Sequence, residues 1–129
     1  MNSIEPAKIF HLHLVSDATG ETINSVARAC LAQFDQVEPH EHAWTLIRTS
    51  KQLEKVLAGI EAHPGPVLFT MVNEKLRMEL VAGCHRLQVP CIPVLDPVIM
   101  ALASHLGMQA QGLPGRQHEL DAEYFGRID

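Results

Sequence analysis

Apolar and polar positions along this chain follow two alternating periods, and the alternation is regular enough to lay out an architecture. Residues 8–15 carry Ile9, Phe10, Leu12, Leu14 and Val15 in one short run, which reads as a first strand. The spacing then switches to i, i+3, i+4, i+7 through Ile23, Val26, Ala27, Cys30, Leu31 and Phe34, the signature of an amphipathic helix. A second strand is predicted over residues 42–49, with Ser50 as the N-cap of a helix that buries Leu53, Val56, Leu57 and Ile60. Pro64-Gly65-Pro66 stops that helix, and the unbroken apolar run 67–72 has the composition of a strand covered on both faces. Asn73 is placed to cap a third helix through Leu76, Leu80, Val81, Cys84 and Leu87. Residues 91–95 read as a fourth short strand; Pro93 has no N–H to give to a ladder, so this strand should lie at a sheet edge or be irregular. Asp96-Pro97 opens a last helix through Val98, Ile99, Leu102 and Leu106, with Pro97 suited to the first helical position.

A βαβαβαβα order implies an α/β fold, an open and mainly parallel four-stranded sheet with right-handed crossovers and helices on both faces. Residues 1–106 make up this α/β domain, and the periodicity fades after Gly107 into a connector and an irregular tail with a short helical segment, residues 107–129. A strand order of 2-1-3-4 agrees with Pro93 on an edge. It puts the loop after the first strand at the switch point where open sheets bind ligands, near Arg48, Thr49, Thr70 and Asn73.

The loop at that point reads Ser16-Asp17-Ala18-Thr19-Gly20-Glu21-Thr22. It sets hydroxyl side chains, a glycine and the unpaired N–H groups of a helix start at the carboxyl end of a strand, an arrangement that holds anions. The same residues also suit a tight turn that merely caps the helix, and on the residues alone capping is the favoured use. The loop is neither a GxxxxGK[ST] phosphate loop nor a GxGxxG dinucleotide turn. Asp17 is a candidate general base or magnesium ligand, or a buried turn residue. Arg48 and, in a Gly/Pro-framed loop, Arg116 and His118 are candidate phosphate or partner contacts, Arg through its planar fork and His as a proton-sensitive donor. Surface loops carry such residues for solvation alone.

Composition narrows the classes. With 129 residues and 47% hydrophobic positions, one domain with a real core is expected. A formal net charge of −5 argues against a nucleic-acid face or a polybasic membrane anchor. Val89 to Ala103 is apolar but broken by Pro90, Pro93, Asp96 and Pro97, so neither a spanning helix nor a signal peptide is expected. Cys30, Cys84 and Cys91 are an odd set without CxxC spacing and read as packing thiols of a reduced cytoplasmic protein. Among the eight histidines, His11 and His13 share one strand face, as do His40 and His42 if the second strand starts early. No third ligand is fixed by spacing, and the expected metal content is none.

The loop at 16–22, the stretch Phe69-Thr70-Met71-Val72-Asn73-Glu74-Lys75-Leu76-Arg77, and the motifs Pro114-Gly115-Arg116-Gln117-His118 and Leu120-Asp121-Ala122-Glu123-Tyr124-Phe125 together resemble the bifunctional kinase–pyrophosphorylases that regulate pyruvate, phosphate dikinase. The resemblance covers nearly the whole chain and favours that branch over the related regulators of phosphoenolpyruvate synthase. It implies an enzyme that phosphorylates a threonine of the dikinase with ADP as donor. The same enzyme removes that phosphate by phosphorolysis with inorganic phosphate, releasing pyrophosphate, and the partner's phosphohistidine state gates the kinase direction. It further implies that these residues are the N-terminal domain of a longer enzyme, whose nucleotide-binding P-loop lies in its own C-terminal domain. This chain alone should then hold no ADP and no cofactor, and should be inactive as a kinase. Partners to expect are the dikinase, the C-terminal P-loop domain and a second copy in a homodimer. Ser16, Thr19, Gly20, Thr22, Arg116 and His118, from the matched motifs, are carried as candidates for an interdomain or substrate-facing site. The alternatives are a noncatalytic docking or dimerisation module and an independent small-anion-binding α/β domain.

Overall fold

The computed structural model of the chain describes residues 6–110. Four strands, β1 (Lys8–Ser16), β2 (Val37–Trp44), β3 (Val67–Thr70) and β4 (Cys91–Pro93), alternate with four helices, α1 (Glu21–Leu31), α2 (Ser50–Ala62), α3 (Glu74–Leu87) and α4 (Asp96–Leu106). The strands form one sheet in the order β2-β1-β3-β4, and every pairing is parallel. The expected α/β architecture, strand order and edge position of Pro93 are therefore observed.

Strand alternation divides the core in two. Val15, Val67, Phe69 and Met71 pack with Leu53, Val56 and Ile60 of α2 and Leu76, Leu80 and Cys84 of α3. On the opposite face, Leu12 and Leu14 pack with Ile23 and Ala27 of α1. The central strand β1 is thus buried on both sides, which is why its last residues are an unbroken buried run.

Several boundaries differ from the sequence reading. β2 starts at Val37, not residue 42, because it pairs along the full length of β1, from Lys8 opposite Val37 to Val15 opposite Trp44. It is an edge strand with little apolar content, so period alone sets its limits poorly. The apolar Leu46 and Ile47, read as strand, instead fold over the end of β1: Leu46 has φ 56°, and the two residues' N–H groups donate to Ala18 O and Ser16 O. The N-cap of α2 is Thr49, not Ser50, and it closes a capping box with Gln52, each side chain accepting the other's backbone N–H at 3.1 Å. β3 and β4 end two residues earlier than expected, at Thr70 and Pro93. Asn73 caps α3 as its position implied, accepting from Leu76 N–H at 3.0 Å.

Exposure corrects the apolar faces too. Cys30 and Phe34 lie in solvent rather than under α1, and Val81, Val98, Leu102 and Leu106 are likewise exposed. α1 ends at Leu31, so Phe34 falls in the turn that follows instead of on the helix face. α4 buries none of its residues, and its N-terminal turn is held by the ion pair between Arg77 and Asp96. Cys84 is a packing thiol and hydrogen-bonds Cys91 where α3 meets β4, and this bond with burial pushes the Cys91 thiol up.

Two glycines permit close approach. A Cβ on Gly59 of α2 would meet the Trp44 ring at 2.4 Å, and one on Gly65 would sit 1.9 Å from the backbone oxygen of His11. The second obstacle is backbone of the central strand and cannot rotate away. Gly65→Ala should therefore cost about 3 kcal/mol in chemical unfolding, whereas Met78→Ala on the exposed side of α3 should change stability by less than about 0.5 kcal/mol.

Candidate functional site

The carboxyl ends of β1 and β3 lie side by side, with Ser16 in register with Thr70. Alternation points both side chains to the α1 face, because Leu12 and Leu14 precede Ser16 on that side. Both are buried. Ser16 Oγ accepts the N–H of Ala18 at 3.0 Å, which turns the chain out of the strand. Thr70 Oγ1 is buried and has no hydrogen-bond partner among the described residues.

Asp17, next along, is also buried. Its N–H reaches Thr70 O at 3.3 Å, and its carboxylate Oδ2 accepts the N–H of Val72 at 3.0 Å, so it ties the loop after β1 to the loop after β3. Burial raises its pKa above the ordinary carboxylate value, against the opposing pull of the Val72 N–H and of the Arg48 charge. Arg48 Nε donates to the Asp17 carbonyl at 2.9 Å, which brings the loop after β2 to the same place. Three strand-end loops therefore converge on Asp17.

Above them begins α1. Its N-cap is Gly20, with φ 90° and ψ 4°, a left-handed conformation that glycine adopts without the Cβ penalty. A Cβ there would also sit 2.9 Å from Thr45 Cγ2. No side chain caps α1, in contrast to α2 and α3, which Thr49 and Asn73 cap. The expectation that this loop's side chains cap the helix is thereby corrected: Ser16 Oγ is used by Ala18, and Thr19 is exposed one residue before the cap. Thr22 is half-buried in the first turn. The first-turn N–H groups of a helix have no intrahelical acceptor, and they carry the positive end of its dipole.

Of the sequence-derived candidates, Ser16, Asp17 and Arg48 come together with Thr70, Gly20 and Thr22 lie at the start of α1, Thr19 is exposed just before it, and Arg116 and His118 fall outside the described residues. The Val72 N–H was not readable as a partner from sequence, since only the pairing of β1 with β3 brings it to Asp17. Among the described residues, no group of three or more His, Cys, Asp or Glu is placed to hold a metal ion. No helix there is long and apolar enough to cross a membrane.

Comparison with known proteins matches the kinase/pyrophosphorylase family over residues 12–129. Curated relatives carrying the provisional name pyruvate, phosphate dikinase regulatory protein include one from Paramagnetospirillum magneticum, 57% identical over 122 residues, which are 95% of this chain and 39% of the relative. Another from Acidiphilium cryptum is 52% identical over 95% of this chain and 42% of its own length. A third, from Chelativorans sp., is 49% identical over 97% and 46%. The chain thus spans less than half the length of these relatives. It belongs to the kinase/pyrophosphorylase family.

Proposed function

We propose that this chain is the phosphate-facing N-terminal part of a bifunctional regulator of pyruvate, phosphate dikinase, acting in the cytoplasm. The regulator phosphorylates a dikinase threonine with ADP as donor and removes that phosphate with inorganic phosphate, releasing pyrophosphate. In this reading ADP sits in the family's C-terminal P-loop domain, and this chain supplies groups that meet the phosphate transferred to or from the threonine. The observation that carries it is the start of α1, without a side-chain cap, at the sheet's switch point, together with a buried Thr70 hydroxyl at the end of β3 that has no partner among the described residues. A phosphate oxygen can use the N–H groups of Thr22 and Ile23 in the first turn. Arg48, held by the Asp17 carbonyl, adds positive charge to the same loop.

A second reading, a docking surface for the dikinase, the P-loop domain or a second copy, is favoured by α4, whose Val98, Met100, Leu102 and Leu106 are exposed. The two readings separate by titration. Amide chemical shifts of this chain with inorganic phosphate or pyrophosphate should move at residues 19–23 and at Thr70. Shifts scattered over surface lysines, with dikinase binding unaffected by phosphate, would support docking instead.

Asp17 supplies a sharper prediction. Its raised pKa means that the folded chain holds a proton the unfolded chain has already lost, so the ionised group costs stability as pH rises from about 4 through its folded value. Asp17→Asn keeps an acceptor for the Val72 N–H and removes that cost. Thermal unfolding at pH 7 should give a Tm no lower than the wild type's, and phosphate affinity should rise several-fold as a neighbouring negative charge is lost.

A further inference from the structure

Away from the strand-end loops, five histidines gather on the α2 face of the sheet. His11 and His13 of β1 stand in register with His40 and His42 of β2, and His63, the C-cap of α2, lies over them. Ring centroids are 5.1 Å apart for His11 and His42, 4.6 Å for His11 and His63, 4.6 Å for His13 and His42, and 5.2 Å for His42 and His63. The last two pairs are stacked, with interplanar angles of 16° and 14°. His40 lies at the margin, 5.5 Å from His11.

The hydrogen bonds dictate the protonation state. Trp44 Nε1 can only donate, and it points at His13 Nδ1 at 3.1 Å, so Nδ1 must be bare. The His13 proton is then on Nε2, which donates to the backbone oxygen of His63 at 2.7 Å. A second proton on His13 would set two donors against each other at the Trp44 contact. His11 Nδ1 and His42 Nε2 lie 2.9 Å apart, a bond that needs one bare nitrogen and one N–H. Two imidazolium rings cannot keep it.

These contacts hold α2 to the sheet. His13 fastens the helix's C-cap carbonyl, its backbone N–H donates to Pro66 O at 2.9 Å, and Trp44 packs on Gly59 of α2. We propose that this cluster is a proton-sensitive clasp: neutral imidazoles fasten the C-terminal end of α2 and the edge strand β2 to β1, and proton uptake releases them.

The ionisable groups facing the cluster are His11 and His13 from β1, Glu38, His40 and His42 from β2, and His63 from the end of α2, while β3 presents apolar Val67. Glu38 Oε2 lies 3.1 Å from His40 Nε2 at the exposed margin and leaves the inner rings without an acid. Burial first, then mutual repulsion, lowers the pKa values of His11 and His42, and burial lowers that of His13 against the pull of the His63 carbonyl. The sign follows: the unfolded chain takes up protons that the folded chain refuses. Stability is full above about pH 6.5 and is lost as pH falls from there toward the folded values.

Trp44 is the only tryptophan and reports the clasp directly. Its fluorescence in this chain should change with a midpoint below pH 6.5 while far-UV circular dichroism still shows folded helices. In the same range the unfolding constant should rise more than tenfold per pH unit, the mark of more than one proton. His63→Gln retains the backbone acceptor for His13 but removes a positive neighbour. It should move the fluorescence midpoint upward, and His11→Gln should do the same and make the pH dependence shallower. A Trp44 signal flat down to global unfolding would overturn the clasp, as would a midpoint unmoved by both substitutions.

Discussion

Parallel pairing of β1 with a strand on either side is the constraint on which the rest of the structure depends. It makes β1 the central strand, so that helices cover its later residues on both faces and its two side-chain rows do different work. The row of Leu12, Leu14 and Ser16 seats α1, and the row of His11, His13 and Val15 seats α2. Where the pairing ends, the chain must leave the sheet between two neighbours. Asp17 fills that exit by bonding the loops on both sides: its carboxylate accepts the backbone N–H of Val72, and its carbonyl accepts Nε of the Arg48 side chain. A buried carboxylate is costly, and these hydrogen bonds offset part of the cost.

The same geometry explains why α1 starts bare. Ser16 is consumed in turning the chain and Asp17 in tying loops, so the helix begins at a left-handed glycine with no side chain left to cap it. A helix start without a side-chain cap, and a buried hydroxyl without a partner among the described residues, are unusual in a fold whose other sheet-facing helices, α2 and α3, are well capped. A bound phosphate group would satisfy them. That fits a member of a family whose chemistry moves phosphate, with the chain matching less than half the length of its relatives.

Much of this was legible in the sequence, and the failures have physical causes. The alternation of periods fixed fold class, and Pro93 fixed an edge, because both follow from which backbone groups can pair. The loop at residues 16–22 stands out as a candidate site by its composition, with capping the favoured use on the residues alone, and the division of labour inside it is not legible there, since a hydroxyl's choice between capping and turning depends on tertiary neighbours. β2 was misplaced because an edge strand has little need of apolar residues, and the apolar Leu46 and Ile47 belong to a loop that crosses the end of β1. His11 and His13 were seen to share a face, but the gathering of five rings needed the register with His40 and His42 and the return of α2 at His63.

The central claim is that the start of α1 is built for a phosphate group, and a crystal structure of this chain grown with pyrophosphate tests it most directly. The account requires a phosphoryl group at the first turn of α1, within hydrogen-bonding distance of the N–H groups of Thr22 and Ile23 and close to Arg48. An empty first turn, with pyrophosphate bound only to surface lysines or not at all, would contradict it.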